Sequence, residues 1–149
     1  MQIEFTLNNK KVKFEINGDE YLADVLRKNG YLSIRKGCNT SSCGLCSVWI
    51  DKKPVLSCSF LAVRANGRNV TTIEGVQEEA DKFAKLVVAE GADQCGFCSP
   101  GFIMTVLAMK NELVNPTDEE IKNYLTGNLC RCTGYMGQLR AVKKYLEVM

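Results

Sequence analysis

The side chains best equipped for chemistry in this 149-residue sequence are its eight cysteines, and they occur without a single histidine. The missing imidazole removes Ser-His and Cys-His nucleophile pairs, the usual side-chain proton shuttle and any zinc site that uses histidine. What remains is sulfur chemistry: thiolates that ligate metal, exchange with disulfides or cross-link the chain. The spacing of the cysteines decides among these.

Cys38, Cys43, Cys46 and Cys58 read C-x4-C-x2-C-x11-C, and the first two spacings match the plant-type ferredoxin pattern for a [2Fe-2S] cluster held by four thiolates. Three thiolates on one irregular loop can converge on a small cluster while a fourth arrives from a neighbouring strand end. Backbone N–H groups of such a loop can point at the sulfides and stabilise the negative charge that reduction adds. Gly37 and Gly44 allow the close backbone approach this requires. Cys95, Cys98, Cys130 and Cys132 read C-x2-C-x31-C-x-C, which is not a plant-ferredoxin spacing. Each of these pairs falls at an expected junction of loop and helix. A helix bundle could hold a second four-thiolate site at one end, where positive helix N-termini favour an anionic cluster.

Three other uses of the thiols rank lower. A disulfide framework suits small secreted chains, whereas this one is long enough for a core and opens on the alternating Met1-Gln2-Ile3-Glu4-Phe5, not on a signal-peptide apolar block. All-cysteine zinc sites fit C-x2-C, but C-x4-C-x2-C and C-x-C are not usual zinc-knuckle spacings. A thioredoxin-type C-x-x-C motif would need a βαβ setting that the sequence does not offer.

The rest of the sequence must position these thiols. Ile3, Phe5 and Leu7, then Val12, Phe14 and Ile16, alternate around Asn8-Asn9-Lys10 and predict a hairpin with one buried face. Leu22, Val25 and Leu26 have helical spacing before the stop signal Asn29-Gly30. Residues 35–47 show neither period and form a loop that a ligand would shape. Strands are expected at 48–50 and 54–56, flanking Asp51-Lys52-Lys53, and at 70–73. From Ala80 the period becomes helical, giving four helices: one ending at Gly91, one capped by Ser99 with Pro100 as its first residue, one opened by a Thr117–Glu120 capping box, and one carrying Leu139, Val142, Tyr145 and Leu146. The reading is an α+β chain of two sub-domains, 1–75 and 76–149, with a surplus of basic residues in the first half and of acidic residues in the second. A net charge of +2 without a basic stripe argues against nucleic acid. No apolar run approaches the roughly 18 residues of a membrane span, and the expected location is cytoplasmic.

Three segments carry a family resemblance: Lys36-Gly37-Cys38-Asn39-Thr40-Ser41-Ser42-Cys43-Gly44-Leu45-Cys46, Gln94-Cys95-Gly96-Phe97-Cys98-Ser99-Pro100-Gly101 and Gly127-Asn128-Leu129-Cys130-Arg131-Cys132-Thr133-Gly134-Tyr135. Together they resemble the small iron–sulfur subunit of the molybdenum hydroxylases, the family of xanthine dehydrogenase, aldehyde oxidoreductase, aerobic-type carbon monoxide dehydrogenase and nicotinate dehydrogenase. The resemblance implies an N-terminal β-grasp, plant-type ferredoxin domain and a C-terminal four-helix bundle, each with one [2Fe-2S] cluster. It implies a large partner subunit that binds molybdopterin and substrate and a medium one that binds FAD, in a heterotrimer open to dimerisation. In that arrangement the cluster of Cys95, Cys98, Cys130 and Cys132 lies next to the pterin, with Gln94 and Cys132 adjacent to it, and the cluster of Cys38, Cys43, Cys46 and Cys58 faces the flavin. The chain itself is then a non-catalytic electron-transfer subunit of an oxidoreductase. Hydroxylation releases two electrons, clusters carry one each, and flavin accepts both, so a two-cluster relay suits the stoichiometry. A compact chain of this length has a radius of gyration near about 15 Å, which keeps two internal clusters close.

Around the ligands, Arg131 is read either as a plain ion-pair partner or as a charge that raises the neighbouring cluster's potential. Trp49 is read as a packed strand residue; Phe97, Phe102 and Tyr135 could face the large subunit, with core packing the expectation preferred for them. The sequence departs from the family pattern at Ser41, where glycine is frequent, at Lys36, where an acidic residue is frequent, and at Gln138, where an apolar residue is common. Two alternatives stay open: a free-standing two-cluster ferredoxin, and a zinc-stapled interaction module.

Overall fold

The computed structural model describes residues 1–148. Strands β1 (Gln2–Leu7) and β2 (Lys10–Glu15) form an antiparallel hairpin whose turn residues Asn8 and Asn9 sit at φ 49° and 66°. Paired left-handed residues match the twist of a two-residue hairpin, and asparagine tolerates that region. Helix α1 (Leu22–Lys28) follows, then a long connection to β3 (Ser47–Ile50), β4 (Lys53–Leu56) and β5 (Asn69–Thr71). The sheet order is β2-β1-β5-β3-β4, with only β1 and β5 parallel. Ile3, Phe5, Leu7, Val48, Ile50 and Val70 pack with Leu22, Ala23, Val25 and Leu26 of α1 into one core.

Four helices complete the chain: α2 (Gln77–Ala89), α3 (Ser99–Glu112), α4 (Asp118–Tyr124) and α5 (Met136–Leu146). They enclose a second core of Phe83, Met104, Val106, Met109, Ile121 and Val142. The expected α+β division into a five-stranded sheet and a four-helix bundle is therefore what the chain adopts. Every residue from Gly101 to Met109 is buried, so α3 shows no polar face. It packs on β3 and β4 as well as on α2, and a helix covered on all sides has no amphipathic stripe. The single face expected from Phe102, Ile103, Val106 and Leu107 is only part of its contact surface. Trp49 is buried on the bundle side of β3, where its indole N–H donates to the Met104 carbonyl at 2.9 Å.

Element ends shift by a residue or two. Thr72 leaves the sheet because its N–H turns to the Asn8 side-chain oxygen at 2.9 Å, and Ile73–Gly75 becomes a short 3-10 turn in place of strand. Helix α3 begins at Ser99 with Cys98 in the N-cap position, so Ser99 is not the cap. Cys98 is already in the helical region, and its carbonyl accepts from Phe102 N–H at 3.0 Å. The Thr117–Glu120 capping box is present, with Thr117 N–H donating to the Glu120 carboxylate at 2.8 Å and Glu120 N–H to the Thr117 hydroxyl at 3.3 Å.

Candidate functional site

The connection between α1 and β3 carries Cys38 and Cys43, and Cys46 ends it. The β3–β4 register pairs Ser47 with Leu56, so residues just outside those ends lie together, and Cys58 arrives beside Cys46. Ser57 fixes this junction, its hydroxyl donating to the Cys46 carbonyl at 2.6 Å. The loop bends through Ser41 at φ 55° and Gly44 at φ 73°. Ser41 thus adopts the conformation for which glycine is favoured, and its hydroxyl comes to 3.6 Å from the Cys58 sulfur.

Within this group Cys38 interacts with Cys43 and Cys46 with Cys58, and Cys46 also feels the charge of Cys43. Backbone N–H groups of Ser42, Thr40 and Cys43 aim at the Cys38 sulfur and hold its thiol down to about 6. Burial pushes Cys43 and Cys46 up.

The other four cysteines gather between α3 and α5. Cys95 and Cys98 precede α3, and Cys130 and Cys132 precede α5. The Cys95 and Cys132 sulfurs lie 3.5 Å apart, and Cys98 interacts with Cys130. A hollow of about 400 Å³ is lined by all four, by Phe97, Leu129, Arg131 and Tyr135, and by Gly37, Cys43 and Leu45 of the first loop. Burial, then the Cys130 sulfur, raises the Cys98 thiol to about 11, and Cys132 is raised chiefly by Cys95. For Cys130 burial is the largest influence and acts upward, but the hydroxyl and N–H of Thr133 lead a set of donors that bring it down.

The shifted thiols answer to sulfurs of their own group, Cys38, Cys43 and Cys46 in the first and Cys98, Cys130 and Cys132 in the second. Thiols that raise one another cannot all ionise without a cation among them, which is the condition of a metal site. Among the described residues no three His, Cys, Asp or Glu side chains surround a point where one metal ion could sit. The sulfurs instead approach in twos. A diiron cluster takes two thiolates per iron, and sulfurs that approach in twos fit that [2Fe-2S] requirement.

The two loops are fastened together. Leu129 N–H donates to the Cys43 carbonyl at 2.9 Å, and the Arg35 guanidinium donates to the Gly96 carbonyl at 2.8 Å while lying 5.1 Å above the Phe97 ring. A Cβ on Gly101 would strike the backbone of Gly44 and Leu45, and one on Gly44 would strike Gly127 and Asn128. Helix α3 and both cysteine loops meet there at glycine-only distances.

Gln94 lies exposed in the bend before Cys95, and Arg131 is also exposed. Phe102 is buried as expected, but Phe97 and Tyr135 are 47% and 45% exposed, which corrects the expectation of core packing for both. Each belongs to a turn that projects past the helix ends. Gln138 is buried, with its amide nitrogen 3.9 Å from the Cys98 sulfur. Thr133 and Arg35 gave no signal in the sequence, although a threonine three residues after a ligand cysteine is placed for a turn-closing bond.

Comparison with known proteins supplies the context. Residues 5–69 match the 2Fe-2S iron-sulfur cluster binding domain family and residues 72–143 the [2Fe-2S] binding domain family. The chain is 40% identical to one of the probable xanthine dehydrogenase subunits of Bacillus subtilis, covering 94% of this chain and 82% of that one. It is 37% identical to the nicotinate dehydrogenase small FeS subunit of Eubacterium barkeri, covering 97% and 94%. The chain belongs to the iron–sulfur subunit family of the molybdenum hydroxylases. The crystal structure of quinoline 2-oxidoreductase from Pseudomonas putida 86 superposes with a TM-score of 0.91 at 34% identity, over 99% of this chain and 94% of that one. As a member of this family the chain is an electron-transfer subunit of an oxidoreductase with one [2Fe-2S] domain in each half, and its relatives are subunits of multi-subunit enzymes. Among the described residues no helix is long and apolar enough to cross a membrane.

Proposed function

We propose that Cys38, Cys43, Cys46 and Cys58 ligate one [2Fe-2S] cluster and Cys95, Cys98, Cys130 and Cys132 another, and that the subunit passes electrons from a molybdopterin-bearing large subunit to an FAD-bearing medium subunit. The observation that carries this reading is the partition of eight thiols into two separate groups of four, each drawn together in pairs. When bound, each cluster accepts and returns one electron.

The chain's own residues do the rest. Backbone N–H groups of Thr40, Ser42 and Cys43 direct positive dipole toward Cys38 and stabilise added negative charge. The Leu129–Cys43 and Arg35–Gly96 bonds hold the two ligand loops at a fixed separation. Cys95 and Cys132 are the exposed pair, and Phe97, Leu129, Tyr135 and Met136 leave apolar surface around them. This collar suits burial against the large subunit, with Gln94 and Cys132 next to the pterin. A free-standing carrier would leave the collar in water, which favours the subunit reading. The domains divide near residue 75, between the two cores. The partners form a heterotrimer with this chain, and the location is cytoplasmic.

Anaerobic purification through a tag on this chain tests the assembly. Two larger chains containing molybdenum and flavin are expected in equal amount; recovery of this chain alone, loaded with iron, would favour the free carrier.

A further inference from the structure

The turn that joins Cys130 to α5 folds back on its own ligand. Tyr135 stands at φ 70° and Gly134 at φ 67°, so the chain reverses within three residues. The reversal brings the Tyr135 hydroxyl under Cys130, where it accepts from the Cys130 N–H at 3.0 Å. It also brings Thr133 against the Cys130 sulfur: the Thr133 hydroxyl is 3.1 Å away and the Thr133 N–H nitrogen 3.5 Å away.

The direction of the hydroxyl is fixed by its other partner. Tyr135 N–H donates to the Thr133 oxygen at 3.3 Å, which occupies a lone pair and leaves the hydroxyl proton for the sulfur. The two bonds form a short chain, Tyr135 N–H to Thr133 oxygen to Cys130 sulfur, in which each polarises the next. Around the first quartet the comparable hydroxyl, that of Ser41, is 3.6 Å from Cys58.

We propose that Thr133 is a positioning residue that sets the reduction potential of the second cluster through its hydroxyl bond to the Cys130 sulfur. The inference rests on the proposed ligation by Cys95, Cys98, Cys130 and Cys132. One electron enters, supplied by the molybdenum partner or by a chemical reductant such as dithionite. No bond is made or broken and no proton is taken up, so the negative charge on the sulfurs grows by one. A donor hydrogen-bonded to a ligand sulfur stabilises the more negative state and raises the potential. Thr133 thereby makes the cluster beside the exposed face a better electron acceptor than four thiolates alone would.

The test is a potentiometric titration of the intact complex, following the two reduced-cluster signals by electron paramagnetic resonance. Thr133→Val keeps the shape and removes the donor; Thr133→Ser restores it. The expected result is a several-fold to tenfold loss in the reduction equilibrium of one cluster in the valine variant, where tenfold corresponds to about 59 mV for one electron. The other cluster stays at its wild-type potential, and with Thr133→Ser the affected cluster is also at wild type. If valine blocks cluster assembly, Thr133→Ala is read by the same criteria. Two intact signals with unmoved potentials, even with reduced thermal stability, would overturn the proposal, since that is the pattern of a merely turn-closing threonine. A wild-type complex lacking the second signal would be a different failure, that of the ligation itself.

Discussion

Backbone amides dominate around Cys38 in the first quartet, whereas in the second the amides of Phe97 and Thr133, each 3.5 Å from a ligand sulfur, share the work with side chains. Cys38 is held down by N–H groups of its own loop, which any sequence of the same shape would provide. Cys130 depends on the Thr133 hydroxyl, and Cys98 has the Gln138 amide near it. In the first site Cys43 and Cys46 are buried and Cys38 and Cys58 half-buried; the second opens further to the surface, at the exposed Cys95 and Cys132. Backbone donors are insensitive to most substitutions and hard to tune, while the side-chain donors added at the second site can be tuned residue by residue.

The largest expected effect follows from that exposure. When the isolated subunit is treated anaerobically with an iron chelator, the second cluster should be lost roughly tenfold faster than the first, because its outer thiolates are accessible. Equal rates for the two signals would remove the distinction between a sheltered and an open site.

Next comes the junction that fixes one site against the other. Gly101→Ala places a methyl against the Gly44 carbonyl and 2.8 Å from Leu45 Cα, where backbone on both sides blocks relief. Overpacking of this kind costs about 1–3 kcal/mol, against a helix-propensity gain of about 1 kcal/mol. Denaturant unfolding should show a net loss, together with weaker magnetic interaction between the two reduced clusters. A neutral or stabilising change would mean that the halves do not meet as tightly as described.

Away from both quartets, Thr117→Ala removes the cap of α4 and should cost about 1 kcal/mol without moving either potential. Its partner Glu120 is held below the ordinary carboxylate range by the Thr117 N–H and hydroxyl. A carboxylate depressed in the folded state stabilises above its unfolded value and loses that contribution as pH falls through the folded one. The difference between wild type and Thr117→Ala should therefore shrink in acid; a constant difference would exclude the charged cap. The smallest effect is expected for Ser41→Gly. Relief of the left-handed conformation offsets the lost contact with Cys58, and the first cluster's potential should fall by less than Thr133→Val lowers the second's.

Much of this architecture is legible in the sequence, for physical reasons that differ by element. The hairpins announce themselves through period-two burial around short polar turns, and α4 through its capping box. Helix α3 is less legible, since a segment buried on every side loses the period that would reveal its faces. The quartets can be read from spacing because three ligands of the first share one loop and each half of the second is a short local motif. Their surroundings cannot. Arg35 reaches Gly96 across 61 residues, a contact that depends on how the two cores dock, and Gln138 reaches Cys98 across 40, which depends on how α5 packs beside α3. Phe97 and Tyr135 mislead because aromatic side chains usually mark a core, and here they stand around an exposed ligand pair.

The central claim is that two groups of four thiols hold two separate diiron centres. It is tested most directly by counting iron and acid-labile sulfide in the anaerobically isolated wild-type subunit beside Cys46→Ser and Cys98→Ser, with the reduced-state resonance signals of each. The account predicts about four irons and two signals for the wild type, with a different one of the two signals missing in each variant. Zinc in place of sulfide-bound iron, or loss of both signals when either cysteine is replaced, would contradict it.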